Sequence, residues 1–139
     1  GTMLDLTGDA PRVVDQIDTG RLYLDGSVLI GAMDGVVRDR IRMALNGTAM
    51  VSVIVDETDS PFPDAWVELM GLPEKGRSNT PVAQQIEAEL AEFLERADAK
   101  TVADDQKLEE AVKKITRQVA MEEIGKKPEV TAIISRLAP

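Results

Sequence analysis

Residues 20–139 of this 139-residue chain predict an α/β (α+β) two-layer sandwich. The expected core is a three-stranded mixed sheet built in the order β-β-α-α-β, with two helices on one face, preceded by a short hairpin and a helix. Three observations predict it. AMVSVIV at 49–55 is a β-branched run with apolar residues on both faces, the mark of a central strand. Two stretches after residue 80 carry apolar residues at helical spacing. A last apolar run, EVTAIISRL at 129–137, follows the second of them across Gly125 and Pro128, and two helices suffice to cover one face of such a sheet.

Taken in order, Gly1-Thr2-Met3 reads as a vector-derived scar ahead of an internal start. Val13 and Val14 suit a short strand, but Gly8, Pro11 and several aspartates make residues 1–19 an arm or linker from a preceding domain. The domain proper is expected over 20–139. RLYLDGSVLI at 21–30 alternates around Asp25-Gly26, a strong hairpin signal. Asp34 is the expected cap of a helix to about Asn46, with Val37, Ile41, Ala44 and Leu45 on one face and Asn46-Gly47 as its stop. DETDSPFPD at 56–64 is a loop, so AWVELM at 65–70 returns antiparallel to the central strand. Residues 71–79 form a connection rich in Gly, Pro and charge.

Thr80 then caps a helix with Pro81 at its first position, where no N–H is needed. Val82, Ile86, Leu90, Phe93 and Leu94 are its apolar face, and it ends near Ala97. The next helix starts near Asp104, buries Leu108, Val112, Ile115, Val119 and Ile124, and stops at Gly125. Lys126 and Lys127 stand where cations favour a helix C-terminus by roughly 0.3–1 kcal/mol each. Pro128 prevents continuation.

The chain has no histidine and no cysteine. The usual zinc ligands, Cys and His nucleophiles and His proton transfer are therefore all missing, and no cofactor is expected in it. Disulfides are excluded, which fits a cytoplasmic location. The formal net charge of −9 makes a poor stand-alone binder of polyanions or anionic membranes. No apolar run approaches the length of a membrane span, and no signal peptide is present.

Several clusters invite chemistry. Asp56, Glu57, Asp59 and Asp64 gather in one loop, but their spacing is not that of a calcium loop, and a solvated turn is the plainer reading. Glu109-Glu110 and Glu122-Glu123 are adjacent pairs on a helix and point about 100° apart, so neither is a catalytic dyad. The Gly31–Gly35 stretch has neither phosphate-loop spacing and reads as a turn. Serines 27, 52, 60, 78 and 135 lack a histidine partner. Arg38, Arg40, Arg42, Lys126 and Lys127 are the RNA-contact candidates, able to hold phosphates without reading sequence. The alternatives for these five are ion pairs and helix-end charge. Few aromatics are present, which argues against a base-stacking platform. Val51, Val53 and Val55 share one face of the central strand, and Met50 and Ile54 share the other. Something must cover that second face: the helix before the strand, or a second subunit.

GRLYLDGSV at 20–28, GVVRDRIRMALNG at 35–47, AMVSVIVDE at 49–57 and GKKPEVTAIISRL at 125–137 together resemble the C-terminal domain of the ribonuclease J family, which belongs to the metallo-β-lactamase/β-CASP ribonucleases. Asp25-Gly26, Arg38-Asp39-Arg40 and Lys126-Lys127-Pro128 occupy the places of that family's linker, R-D-R and basic-basic-Pro elements. GAMDGVVRDRIRMALNG at 31–47 is most similar to the alphaproteobacterial branch, while GLPEKGRSN at 71–79 departs from the Firmicute pattern. The resemblance implies a parent enzyme that degrades RNA 5′ to 3′, cuts internally, and acts in mRNA decay and rRNA maturation. Its zinc sits on H-x-H-x-D-H-type motifs in catalytic domains absent here. The implied role of this piece is non-catalytic: it supports homodimerisation and positions those lobes over RNA. The alternatives are a small RNA-binding module and a protein-interaction module of an RNA-decay assembly.

The expected outcome for the purified chain is no metal-dependent RNA cleavage and no stoichiometric zinc. A gel assay with labelled RNA and elemental analysis of the same preparation check both.

Overall fold

The computed structural model describes residues 1–32 and 34–138. Met33, inside the Gly31–Gly35 turn and the 31–47 resemblance, and Pro139, at the end of the expected domain, lie outside the described residues. The chain divides into two units, Gly1–Arg40 and Ile41–Pro139. The division falls within the first helix, α1 (Gly35–Asn46).

The first unit holds two hairpins. Strand β1 (Thr2–Asp5) pairs antiparallel with β2 (Arg12–Gln16). The arm is thus itself paired, and two residues read as a scar take part. Its ends are tied by Gly1 and Ile17, which exchange N–H···O bonds in both directions at 2.5 and 2.7 Å. The carboxylate of Asp5 accepts from the Thr7 hydroxyl and from Arg12, each at 2.6 Å. Strands β3 (Leu22–Asp25) and β4 (Val28–Gly31) form the hairpin expected around Asp25-Gly26. Gly26, first of its two loop residues, has φ 62°. A positive φ at that position alone matches a type II′ turn, whose twist suits the flanking strands. Neither hairpin makes a core. Leu22, Leu24, Val28 and Leu29 are each 60% exposed or more, and two-stranded hairpins of this kind are marginal alone.

The second unit is the sandwich. Strand β5 (Thr48–Val55) lies between β6 (Trp66–Met70), antiparallel to it, and β7 (Glu129–Arg136), parallel to it. This is the mixed sheet the sequence predicts, with the β-branched run at its centre. Glu129 N–H and Leu137 N–H donate to Gly47 and Val55 carbonyls at 3.0 and 2.9 Å, extending the parallel ladder at both ends. At the β6 edge, Val67 N–H donates to the Glu87 carboxylate at 3.1 Å.

Helices α2 (Val82–Arg96) and α4 (Asp105–Ile124) cover one face of the sheet. Ala49, Val51, Val53 and Val55 from β5 meet Val82, Ile86, Leu90 and Leu94 from α2 and Leu108, Val112 and Val119 from α4. Fully burying each such aliphatic side chain stabilises by about 1.5–3 kcal/mol.

Several local expectations change. Thr80 does not cap α2: Pro81 takes the cap position and makes no side-chain cap bond. The Val82 N–H donates instead to the Glu74 carbonyl at 2.8 Å, beside a Lys75–Pro81 bridge. A carbonyl from the preceding connection thus replaces the threonine hydroxyl. A short helix, α3 (Ala99–Val102), capped by Asp98, precedes α4 and was not foreseen. On α4, Thr116 is fully buried while Ile115 and Ile124 are only half-buried. The Thr116 hydroxyl donates to the Val112 carbonyl at 2.8 Å, so its polarity is satisfied. Helix α4 starts where expected, with Asp104 as its cap, and Gly125 ends it at φ 65°.

The connection 71–79 runs against the end of α4. Arg77 N–H donates to the Glu123 carbonyl at 3.0 Å, and Ser78 donates to the Glu123 carboxylate from N and Oγ at 3.0 and 2.9 Å. A Cβ on Gly76 would stand 2.5 Å from the Glu123 carbonyl oxygen. Gly76→Ala therefore loses roughly 1–3 kcal/mol, the usual cost of forcing atoms into a packed contact. Urea unfolding of the variant beside the parent sequence checks this.

Candidate functional site

The RNA-contact candidates share one amphipathic helix and the turn after α4. On α1, positions 38, 40 and 42 are about 200° apart in succession, so they do not form a single stripe. Arg38 is exposed. Arg40 makes a two-pronged bond to Asp25 at 2.9 and 3.0 Å, inside the first unit. That pair holds the Asp25 carboxyl below its ordinary range and raises the Arg40 pKa. Arg42 makes another such fork to Glu129, with N···O distances of 3.1 and 2.8 Å, at the start of β7. Lys126 donates to the Leu45 carbonyl at 2.9 Å. It therefore serves the C-terminal end of α1, where a carbonyl has no helical partner, rather than α4. Lys127 is exposed and lines a groove along α4. Arg40, Arg42 and Lys126 thus have structural partners, while Arg38 and Lys127 face solvent.

The acidic loop closes on itself. Asp56 accepts from Thr58 N, Thr58 Oγ1 and Ser60 N at 2.8, 2.8 and 2.9 Å, and its pKa is lowered, chiefly by the Ser60 N–H. Asp59 pairs with Arg136 at 2.6 Å. Arg136 also donates to Asp105 and to the Val102 carbonyl, at 2.8 and 2.5 Å. It thus ties the end of β7 to the β5–β6 loop, α3 and the start of α4. Its pKa is raised, first by Asp105. Nothing in its sequence position sets Arg136 apart from other arginines, since its partners are distant in the chain. Among the described residues no three acidic side chains gather as a cation site needs. With no imidazole or thiolate either, the donors present do not fit a zinc ion.

The second sheet face is the larger feature. Ser52 lies between Trp66 on β6 and Ile133 on β7, and Met50 between Glu68 and Thr131. Trp66 is 56% exposed, Met70 57%, Ile133 50% and Ile54 39%. Helix α1 buries none of its described residues, leaving Ile41, Met43 and Leu45 exposed. Within the second unit taken by itself, the face that the sequence marks as needing cover has no helix over it. No described helix is long and apolar enough to cross a membrane.

The model of the ribonuclease J C-terminal domain family matches residues 35–137. The match starts with α1 and takes in the whole three-stranded sheet and its helices. A curated ribonuclease J from the alphaproteobacterium Sinorhizobium meliloti is 29% identical over 140 residues. That alignment covers 99% of this chain and 24% of the relative, so the chain spans about a quarter of that protein's length.

The lowered carboxylates fix the acid response. Asp5 lies at about 2, held down first by the Thr7 hydroxyl and then by Arg12. Asp98, Asp104 and Glu123 are also lowered, by Thr101, Lys107 and Ser78 respectively. Below about pH 4 the unfolded chain binds protons that these folded carboxylates refuse. The stability they contribute is complete above that pH and drains away as pH falls through the folded values. With no histidine, no step occurs between about pH 5 and 7. A thermal unfolding series across pH should be flat there and decline only in acid, and NMR titration of Asp5 should give a midpoint of about 2.

Proposed function

Since the chain belongs to the ribonuclease J C-terminal domain family, we propose that it is the accessory domain of such an enzyme. The parent is a zinc-dependent, cytoplasmic 5′-to-3′ exo- and endoribonuclease of mRNA decay and rRNA maturation, whose chemistry resides in other domains. Residues 20–139 form the domain and residues 1–19 the arm that joins it to the preceding lobe. Its work is mechanical: it supports pairing of two enzyme copies and holds the catalytic lobes in place. Arg40 and Arg42 serve that purpose through Asp25 and Glu129 rather than through RNA.

The observation that carries this reading is the open sheet face of the second unit, with Trp66 exposed on its β6 edge. An exposed tryptophan sharing a face with Met50, Ile54 and Ile133 is the kind of anchor that protein contacts use. Size limits what the face does alone. Eight-residue strands, at about 3.3 Å per residue and about 5 Å between strands, give a footprint of roughly 350 Å². A stable interface needs about 800 Å² per partner. The domain alone therefore pairs weakly, and the rest of the dimer contact comes from the parent's other lobes. A second support is the first unit, whose β3–β4 hairpin leaves Leu22, Leu24, Val28 and Leu29 bare. Such strands gain stability by packing on a neighbouring domain.

Sedimentation over a concentration series tests the reading. The chain is expected to self-associate weakly, and Trp66→Glu to abolish it. In the full-length parent the same substitution weakens dimerisation by about 2 kcal/mol or more, or roughly thirtyfold. Dimers unaffected by Trp66→Glu would point instead to a face for a different protein of an RNA-decay assembly.

A further inference from the structure

Helix α4 presents two stripes. One is buried against the sheet. The other, through positions 110, 113, 114, 117 and 121, lines an open groove of about 500 Å³ together with Lys127. The groove runs along nearly three turns of helix and its walls are mainly carbon, including the Met121 side chain. Four cations line it, Lys113, Lys114, Arg117 and Lys127, against the carboxylates of Glu110 and Glu122. That is a local positive excess in a chain of net charge −9.

The pairing pattern sharpens the point. Lys113 is paired with Glu109. Among the described residues Lys114, Arg117 and Lys127 have no carboxylate partner; Arg21, Arg38, Lys75, Arg77, Lys100 and Lys126 also have none, but they are not among the residues that line the groove. Arg117 touches only the Pro128 carbonyl, through Nε at 3.4 Å, leaving its terminal nitrogens unused. Glu110 and Glu122 are held along the helix by Gln106 and Gln118, at 3.3 and 3.2 Å. Three cations without carboxylate partners thus line one groove.

We infer that this groove seats the phosphate backbone of single-stranded RNA. Lys114, Arg117 and Lys127 contact phosphates, and the carbon walls take the sugars. Lys114 and Arg117 are separated by about 4.5 Å along the helix axis, so they address successive points of an extended polyanion. No aromatic side chain lines the groove, so bases are not stacked and binding does not depend on sequence. The choice of RNA over an acidic polypeptide rests on the reading that the parent acts on RNA. The site itself differs from the five candidates read from the sequence and shares only Lys127 with them.

Fluorescence anisotropy of labelled single-stranded RNA with the 139-residue chain tests it. Three phosphate contacts give a log–log salt slope near −2, so affinity drops about twentyfold between about 50 and 200 mM salt. Lys114→Gln with Lys127→Gln changes two exposed side chains and leaves Arg117 in place. It should weaken binding at low salt at least about tenfold and bring the slope towards about −0.7. Lys75→Gln with Lys100→Gln makes the same charge change outside the groove and should leave binding within about twofold. Absent binding at low salt, equal loss in the control pair, or poly-glutamate binding as tightly as RNA each overturns the inference. Self-association by sedimentation is read without RNA, so either result stands or falls apart from the other.

Discussion

The second unit depends on β5. It is the one strand of the three-stranded sheet bonded on both sides, and its inward residues Ala49, Val51, Val53 and Val55 are buried to 1% exposure or less. The inward valines share one buried cluster with residues of α2 and α4; β7 pairs along the whole strand and β6 along its first five residues. A one-residue slip would turn this row outward and place Met50, Ser52 and Ile54 in the core. Register, layer order and the identity of the open face are therefore fixed together by a single alternation.

Charge is arranged around that frame in pairs that join elements distant in sequence. Arg42 connects α1 to β7 through Glu129, and Arg136 gathers a loop, α3 and the start of α4 through Asp59, Val102 and Asp105. These pairs are largely exposed, and pairs of that kind contribute little to stability in isolation. Their value is in direction: they set where a strand ends and how a helix leaves the sheet. Arg40, Arg42 and Arg136, which looked available in the sequence, are used in this way.

Much of the fold was legible. Central placement of 49–55, the antiparallel return at 65–70, both long helices and the last strand follow from periodicity and from Asp104, Gly125 and Pro128. What escaped depends on contacts across the chain. Thr80-Pro81 has the form of a cap, but the Glu74 carbonyl reaches the Val82 N–H first. The four residues of α3 are too few for a periodic signal. Thr116 reads as polar, and its burial is possible because its hydroxyl folds back on its own helix. At the candidate site the residue types were legible but their partners were not. Arg40 and Arg42 are two positions apart in one helix and meet carboxylates 15 and 87 residues away. Recognition of the family drew on the order of motifs along the chain, which survives where individual contacts cannot be foreseen.

The Glu87 carboxylate on the Val67 N–H bears on how this molecule avoids unwanted growth. An outer strand with bare amides is a template on which any extended polypeptide can register. Here one of those amides is already occupied, and the occupant brings a negative charge to the rim. A further copy approaching that rim meets a like charge, which disfavours open-ended growth from this edge.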